Sequence, residues 1–358
     1  MSPLIVSVFV TPEKICNLSL SEWDLLIRQG RSTGLLARLG HILENSVGLN
    51  HVPEPARKHI QSAQTYSRQF NLSLAWEIHC IEKALQKIAI PIVLLKGAAY
   101  VVANDAAATG RVFTDVDILI PKAQLAAVES ALIFSGWKPD LLDAYDQRYY
   151  REWMHEIPPL THVNRQTTID VHHNILPITS KYCPDANKLL ANIIKIPDMN
   201  VWVLAPEDRV LHSATHLFHD GELEHGFRDL SDIDLLLKDF SLQEHFWTVL
   251  LERASELNQQ ISLYYALRYV VKILQTPVPN HILEASEKCI PNKTTQKIMD
   301  FLFLRALMPD HESCNDRWTG FARWLLFIRS HWLKMSWYQL IPHLLRKSIK
   351  RLTGQAPH

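Results

Sequence analysis

Apolar residues recur along the chain with two different periods, and the change from one to the other divides it. Up to about residue 88 the period is helical. Ser21-Glu-Trp-Asp offers an N-cap with acidic first-turn residues, and Gly30 and Gly34 interrupt the pattern before an apolar face resumes over residues 35–43. Pro53-Glu-Pro55 opens a longer helix towards Ile88. Its Ile60, Ala63, Phe70, Leu74, Ile78, Ile81 and Leu85 recur at steps of three, four or seven, which predicts one apolar stripe for packing on a sheet.

From residue 89 to about 203 short strand-like runs alternate with helical ones. Ile92-Val-Leu-Leu-Lys96-Gly97 reads as a buried strand entering a tight turn, and Ala98-Ala-Tyr100 as the start of a short helix. Gly97 would let the backbone approach a ligand, towards which the helix points unpaired N–H groups. Asp115-Val-Asp117-Ile-Leu-Ile120 predicts a second strand. A side-chain period of two puts both carboxylates on one face and Val116, Ile118 and Ile120 on the other. Residues 122–134 form an amphipathic helix closed by Gly136. Residues 140–164, with Tyr145, Tyr149, Tyr150 and Trp153, fit either packing at the sheet edge, which is the simpler reading, or a substrate-facing insertion. In Thr167-Thr-Ile-Asp170-Val-His172, Asp170 shares a face with Thr168 and His172.

Helical period returns after Pro206, where Pro-Glu-Asp suits a first turn. Ser241-Leu-Gln-Glu244 reads as a capping box opening another helix, and Pro277 and Pro279 mark a break before the pattern continues to about residue 307. The predicted class is α+β. A small mixed sheet spans residues 89–203, with an N-terminal helical region over 1–88 and a C-terminal helical region over 204–358.

Composition changes little: 47% hydrophobic and 21% charged residues are those of an ordinary globular protein. The formal net charge of +0 conceals an asymmetry, because residues 317–358 carry eight Lys/Arg and no Asp/Glu. That tail places Trp318, Trp324, Trp332 and Trp337 among basic residues, so it reads as a packed helix with a solvated basic face or as a surface for RNA or an anionic membrane. Five scattered cysteines without a C-x-x-C pair read as reduced thiols of a cytoplasmic protein. The apolar run over residues 4–10 lacks a preceding basic residue and a clear cleavage site, so export is not expected. No run of eighteen apolar residues occurs, which predicts no transmembrane helix.

The candidate chemistry begins with the paired carboxylates. Two like charges that close are costly without a cation, so Asp115 and Asp117 point to Mg²⁺. With Asp170 on a neighbouring strand, three carboxylates could hold two Mg²⁺ ions for phosphoryl or nucleotidyl transfer. His212, His216 and His219 share one helix face, as metal ligands, cleft-lining groups or satisfied core residues, and the Glu of an H-E-x-x-H motif is absent. Arg228 and Asp232, four apart on the next helix, predict a surface ion pair unless that helix faces the site.

Lys96-Gly97, then Arg111 after thirteen residues, then Asp115-Val-Asp117 after three more, together with Ile169-Asp170-Val-His172, resemble the uncharacterised branch of the polymerase-β-type nucleotidyltransferases. The resemblance runs through Phe227-Arg228-Asp-Leu-Ser-Asp232-Ile-Asp234 and covers roughly residues 50–240. It implies Asp115, Asp117 and Asp170 as metal ligands and catalytic residues. It further implies Lys96, Gly97, Ala98 and Arg111 at the nucleotide, and His172, His216 and Arg228 in the cleft. Many relatives have Ser where this chain has Ala98, which leaves backbone N–H groups, Lys96 and Arg111 for the triphosphate.

The implied activity is Mg²⁺-dependent transfer of NMP from an NTP, ATP foremost, to a small molecule, protein or RNA, with release of pyrophosphate. Two other classes stay open: an inactive nucleotide-binding regulatory or accessory protein, and an RNA or membrane adaptor acting through residues 317–358.

Overall fold

The computed structural model describes residues 3–139, 144–219, 221, 223–289 and 292–334. Its architecture is a seven-stranded mixed sheet enclosed by helices. Helices α1 (Leu4–Val10), α2 (Leu20–Ser32), α3 (Leu36–Ser46) and the long α4 (Glu54–Leu85) precede the sheet. Strand β1 (Val93–Leu94) runs into α5 (Lys96–Val102), and β2 (Asp115–Leu119) into α6 (Leu125–Phe134). There follow β3 (Trp137–Pro139), α7 (Ala144–Trp153), β4 (Leu160–His162), β5 (Thr168–His172), α8 (Ala186–Leu190), β6 (Ile193–Lys195) and β7 (Trp202–Leu204). The remaining helices are α9 (Pro206–His219), α10 (Gly226–Phe240), α11 (Phe246–Glu256), α12 (Gln260–Tyr269), α13 (Asn280–Glu287), α14 (Lys293–Ala306) and α15 (Thr319–Lys334).

The sheet order is β3-β4-β5-β2-β1-β7-β6. β2 lies parallel to β5 and antiparallel to β1, while β1 is parallel to β7. Alternation along these strands sorts side chains onto two faces. On one, Leu94, Val116, Ile118, Ile120, Ile169, Val171 and Val203 bury against the C-terminal half of α4, through Leu74, Ile78, Ile81 and Leu85, and against α6, through Val128 and Leu132. On the other, Val93, Leu119 and Leu204 join a larger core in which the N-terminal helices meet α9 to α12. Asp115, Asp117 and Asp170 belong by parity to that second face, so they look towards α9 and α10. The apolar period of α4 extends over both cores: Ile60 enters the larger one and Leu74 to Leu85 the smaller.

Local signals misplaced several boundaries. The N-cap of α2 is Ser19, in a capping box with Glu22, two residues before the predicted Ser21. Ser241 is no N-cap; it ends α10 and its hydroxyl donates to the Lys238 carbonyl, whereas α11 starts after His245, whose φ is +66°. Within residues 140–164, the described ones form α7 and then β4, which pairs into the sheet between β3 and β5. Residues 4–10 form a helix whose Ile5, Val6 and Val8 lie in the core. All five cysteines are free. Among the described residues no helix is long and apolar enough to cross a membrane. In α15, Ala322 and Leu326 are buried and Trp324 and Trp332 exposed, while the rest of the basic tail, with Trp337, lies outside the described residues.

Candidate active site

Register brings the carboxylates together. Asp117 of β2 stands directly beside Asp170 of the parallel β5, and Asp115 lies two residues earlier on the same face. Ligand oxygens from the three lie within 4.8 Å of one another. Asp117 is buried, and its Oδ1 accepts from Lys96 Nζ at 2.9 Å and lies 2.9 Å from His172 Nε2. Burial alone would raise this carboxyl, but Lys96 and His172 hold it well below the usual carboxylate range. Asp170 has no hydrogen-bonded cation, and His172 offsets only part of what raises it. Burial, followed by the charges of Asp117 and Glu156, pushes it up to about 7. Its Oδ1 is buried without a hydrogen-bond partner.

The corner that carries Lys96 is not built as the sequence suggests. The left-handed residue is Lys96 itself, at φ +44°, and the helix starts there. An L-residue in that region carries a cost of about 1–2 kcal/mol. The pairing of its ammonium with Asp117 offsets this, and burial of the ammonium is overridden by Asp117, which keeps its pKa above the ordinary value. Gly97 lines a cavity at the carboxylates and also has a packing reason to be glycine: a Cβ there would collide with the ring of Phe113. Ala98 lines neither of the two cavities at the carboxylates; its methyl is packed in the apolar core on the far side of the sheet. A Ser hydroxyl at that position would enter the same core.

Arg111 is buried, with Nε 3.0 Å from Asp232 and Nη2 3.2 Å from Asp229. Asp232 also receives Arg38 of α3 at 2.8 Å. The predicted Arg228–Asp232 pair is replaced by contact of Arg228 with its neighbour Asp229, because Asp232 faces inward to the two buried arginines.

Two cavities meet at this cluster, both bounded by Lys96, Asp115 and His216. One, of about 400 Å³, adds Gly97, Arg111, Phe113, Asp117, Arg228 and Asp229. The other, of about 280 Å³, adds His155, Glu156, Asp170, His172, His212 and His219. The face of α9 carrying His212, His216 and His219 therefore lines the cleft, as one of the sequence readings has it. His219 goes deeper, where its Nδ1 lies 3.3 Å from Ser262 Oγ.

Sequence reasoning overlooked His155 and Glu156. They sit on an extended run held to β5 by Ile157 N–H donating to Val171 O and His173 N–H donating to His155 O. Glu156 thereby stands opposite His172. A signal existed in Ile157-Pro158-Pro159, since a residue before proline favours extended backbone. Asp229 and Asp232 as partners of Arg111, and Phe113 as the cover of Gly97, left no mark in spacing.

A mixed sheet that aligns three carboxylates on adjacent strands, below a helix lining two joined cavities, is the framework of a nucleotidyltransferase. A family model described as "Uncharacterised nucleotidyltransferase" matches residues 19–275 of this chain. The protein belongs to that family. No curated protein and no solved structure matches it.

Proposed function

We propose that the protein is a Mg²⁺-dependent nucleotidyltransferase that moves NMP from an NTP, ATP foremost, to an acceptor hydroxyl and releases pyrophosphate. The observation that carries this reading is the pairing of Asp117 with Asp170 beside Asp115, with an Asp170 oxygen buried and unpartnered. All-oxygen donors of this kind suit Mg²⁺, so the residues present fit the ion. Asp115 and Asp117 would hold both ions and Asp170 the one nearer the acceptor. When bound, the ions supply charge neutralisation along the triphosphate and orient the reacting oxygens.

The protein's own groups divide the remaining work. The larger cavity takes the nucleotide: Lys96 and Arg228 put positive charge at its wall, and Gly97 lies there under Phe113. Arg111 is committed to Asp229 and Asp232, so its part is to fix α10 against the cavity and to add field, not to grip phosphate. The smaller cavity takes the acceptor. There Asp170 is placed to help deprotonate the acceptor hydroxyl or bring it into line. His172 orients Asp117 from behind.

The test is product analysis with purified protein, Mg²⁺, each NTP and a cell extract as acceptor source. Release of pyrophosphate, abolished in Asp115→Asn/Asp117→Asn, is expected. Release of orthophosphate alone, or equal release by the double variant, would contradict the assignment.

A further inference from the structure

We propose that His155, Glu156 and His172 form a second metal centre, for Zn²⁺, in the smaller cavity beside the three carboxylates. One ligand atom from each residue lies within 4.8 Å of the other two. His172 Nδ1 is 3.2 Å from a Glu156 carboxylate oxygen, close to the roughly 3.4 Å between two ligands of a tetrahedral ion with bonds of about 2.1 Å. That approach is not aligned as a hydrogen bond. The Nδ1 atoms of both His155 and His172 are buried without a hydrogen-bond partner. His172 is itself only 4% exposed, and its Nδ1 has the Glu156 carboxylate as its ion-pair neighbour, so a cation shared by the ring lone pair and that carboxylate would take the place of a proton between them.

The surroundings prepare the ligands. His155 and Glu156 lie on the extended run pinned to β5, the strand that carries His172, so all three are mounted on paired backbone. The imidazoles of His155 and His172 lie with centroids 5.2 Å apart and planes inclined by 32°. His172 Nε2 rests on Asp117 Oδ1 at 2.9 Å. A proton on Nε2 donated to that carboxylate leaves the Nδ1 lone pair for a metal, the carboxylate–histidine–metal arrangement. Asp117 then orients the second centre while serving the first.

Donor chemistry selects the ion. Two imidazole nitrogens and one carboxylate oxygen suit zinc, whereas Mg²⁺ prefers oxygen alone. All three residues line the same cavity, so a three-ligand site keeps its fourth position towards the space assigned to the acceptor. Water, or an oxygen of the acceptor, fills that position.

Metal binding is measurable without any transfer activity, so this centre stands or falls separately from the function proposed above. Full-length protein freed of metal by chelation is titrated with Zn²⁺ against a chromophoric chelator in saturating Mg²⁺. Wild type, His155→Ala, Glu156→Gln, Asp115→Asn and His216→Ala are compared, with circular dichroism checking the fold of each. One equivalent of Zn²⁺ is expected, weakened by at least about tenfold in His155→Ala and Glu156→Gln and retained in the other two. Co²⁺ should give a visible d–d spectrum that the same two variants alter. Absence of stoichiometric Zn²⁺ binding, binding unchanged in those variants, or binding lost only in Asp115→Asn or His216→Ala would overturn the proposal.

Discussion

Asp117 and Asp170 face each other across parallel strands, yet their acidities diverge in opposite directions. Lys96 and His172 keep Asp117 ionised, whereas Asp170 has burial and three neighbouring carboxylates, Asp117, Glu156 and Asp115, against it. In metal-free protein the Asp170 charge is therefore destabilising once the pH rises above the ordinary carboxylate range towards 7, because the folded state binds a proton that the unfolded state has released. Asp170→Asn should raise the melting temperature of metal-free protein at pH 8 by a few degrees, on the order expected for about 1 kcal/mol, while reducing transfer by about ten- to a hundredfold. Thermal melts with and without Mg²⁺ check this, since wild type should gain more from the ion than the variant, which keeps Asp115 and Asp117.

Arg38, Asp232 and Arg111 tie α3 to α10 behind the nucleotide cavity. Asp232→Asn leaves two buried guanidinium groups short of their shared counter-charge, so a loss of about 3–5 kcal/mol is expected in denaturant unfolding. A change under about 1 kcal/mol would mean that the network is bypassed by water.

Gly97 accommodates the Phe113 ring. Gly97→Ala should destabilise the fold by about 1–3 kcal/mol through overpacking. Adding Phe113→Leu should recover part of the loss, which a double-mutant cycle in unfolding free energy would register as coupling.

His219 is buried on α9, and burial, with the nearby Arg329 charge, pushes its pKa down to about 3. An unfolded histidine titrates near 6.5. Between those values the unfolded state binds the extra proton, so the contribution of neutral His219 is complete above about pH 6.5 and is lost as the pH falls towards 3. The slope is about 1.4 kcal/mol per pH unit. His219→Gln should show an acid limb shallower by one proton in unfolding measured from pH 7 to pH 4.

The carboxylates were readable because strand parity and one parallel register suffice to place them: Asp115 and Asp117 share a face through a period of two, and Asp170 joins them wherever β5 pairs with β2. Helix α4 announced itself through apolar spacing over many turns. What spacing does not encode is the partner of a buried charge. Arg111 has the same place in the sequence whether it meets phosphate or Asp229 and Asp232, and only the packing of α10 decides. Gly97 likewise reads only as room for a ligand, and the Phe113 ring that also requires a glycine there has no mark in the spacing. Ser241-Leu-Gln-Glu244 carries the letters of a capping box, but α10 still needed an end there. Lys96 reverses the usual rule, since a side-chain contact with Asp117 holds a non-glycine residue in a left-handed backbone.

The direct test of nucleotidyl transfer by this carboxylate cluster uses ATP labelled on either the α- or the γ-phosphate. Wild-type protein with Mg²⁺ and cell extract should place the α-label, and not the γ-label, on an acceptor, and Asp115→Asn/Asp117→Asn should place neither. Transfer of the γ-label, or α-label transfer surviving in the double variant, would contradict it.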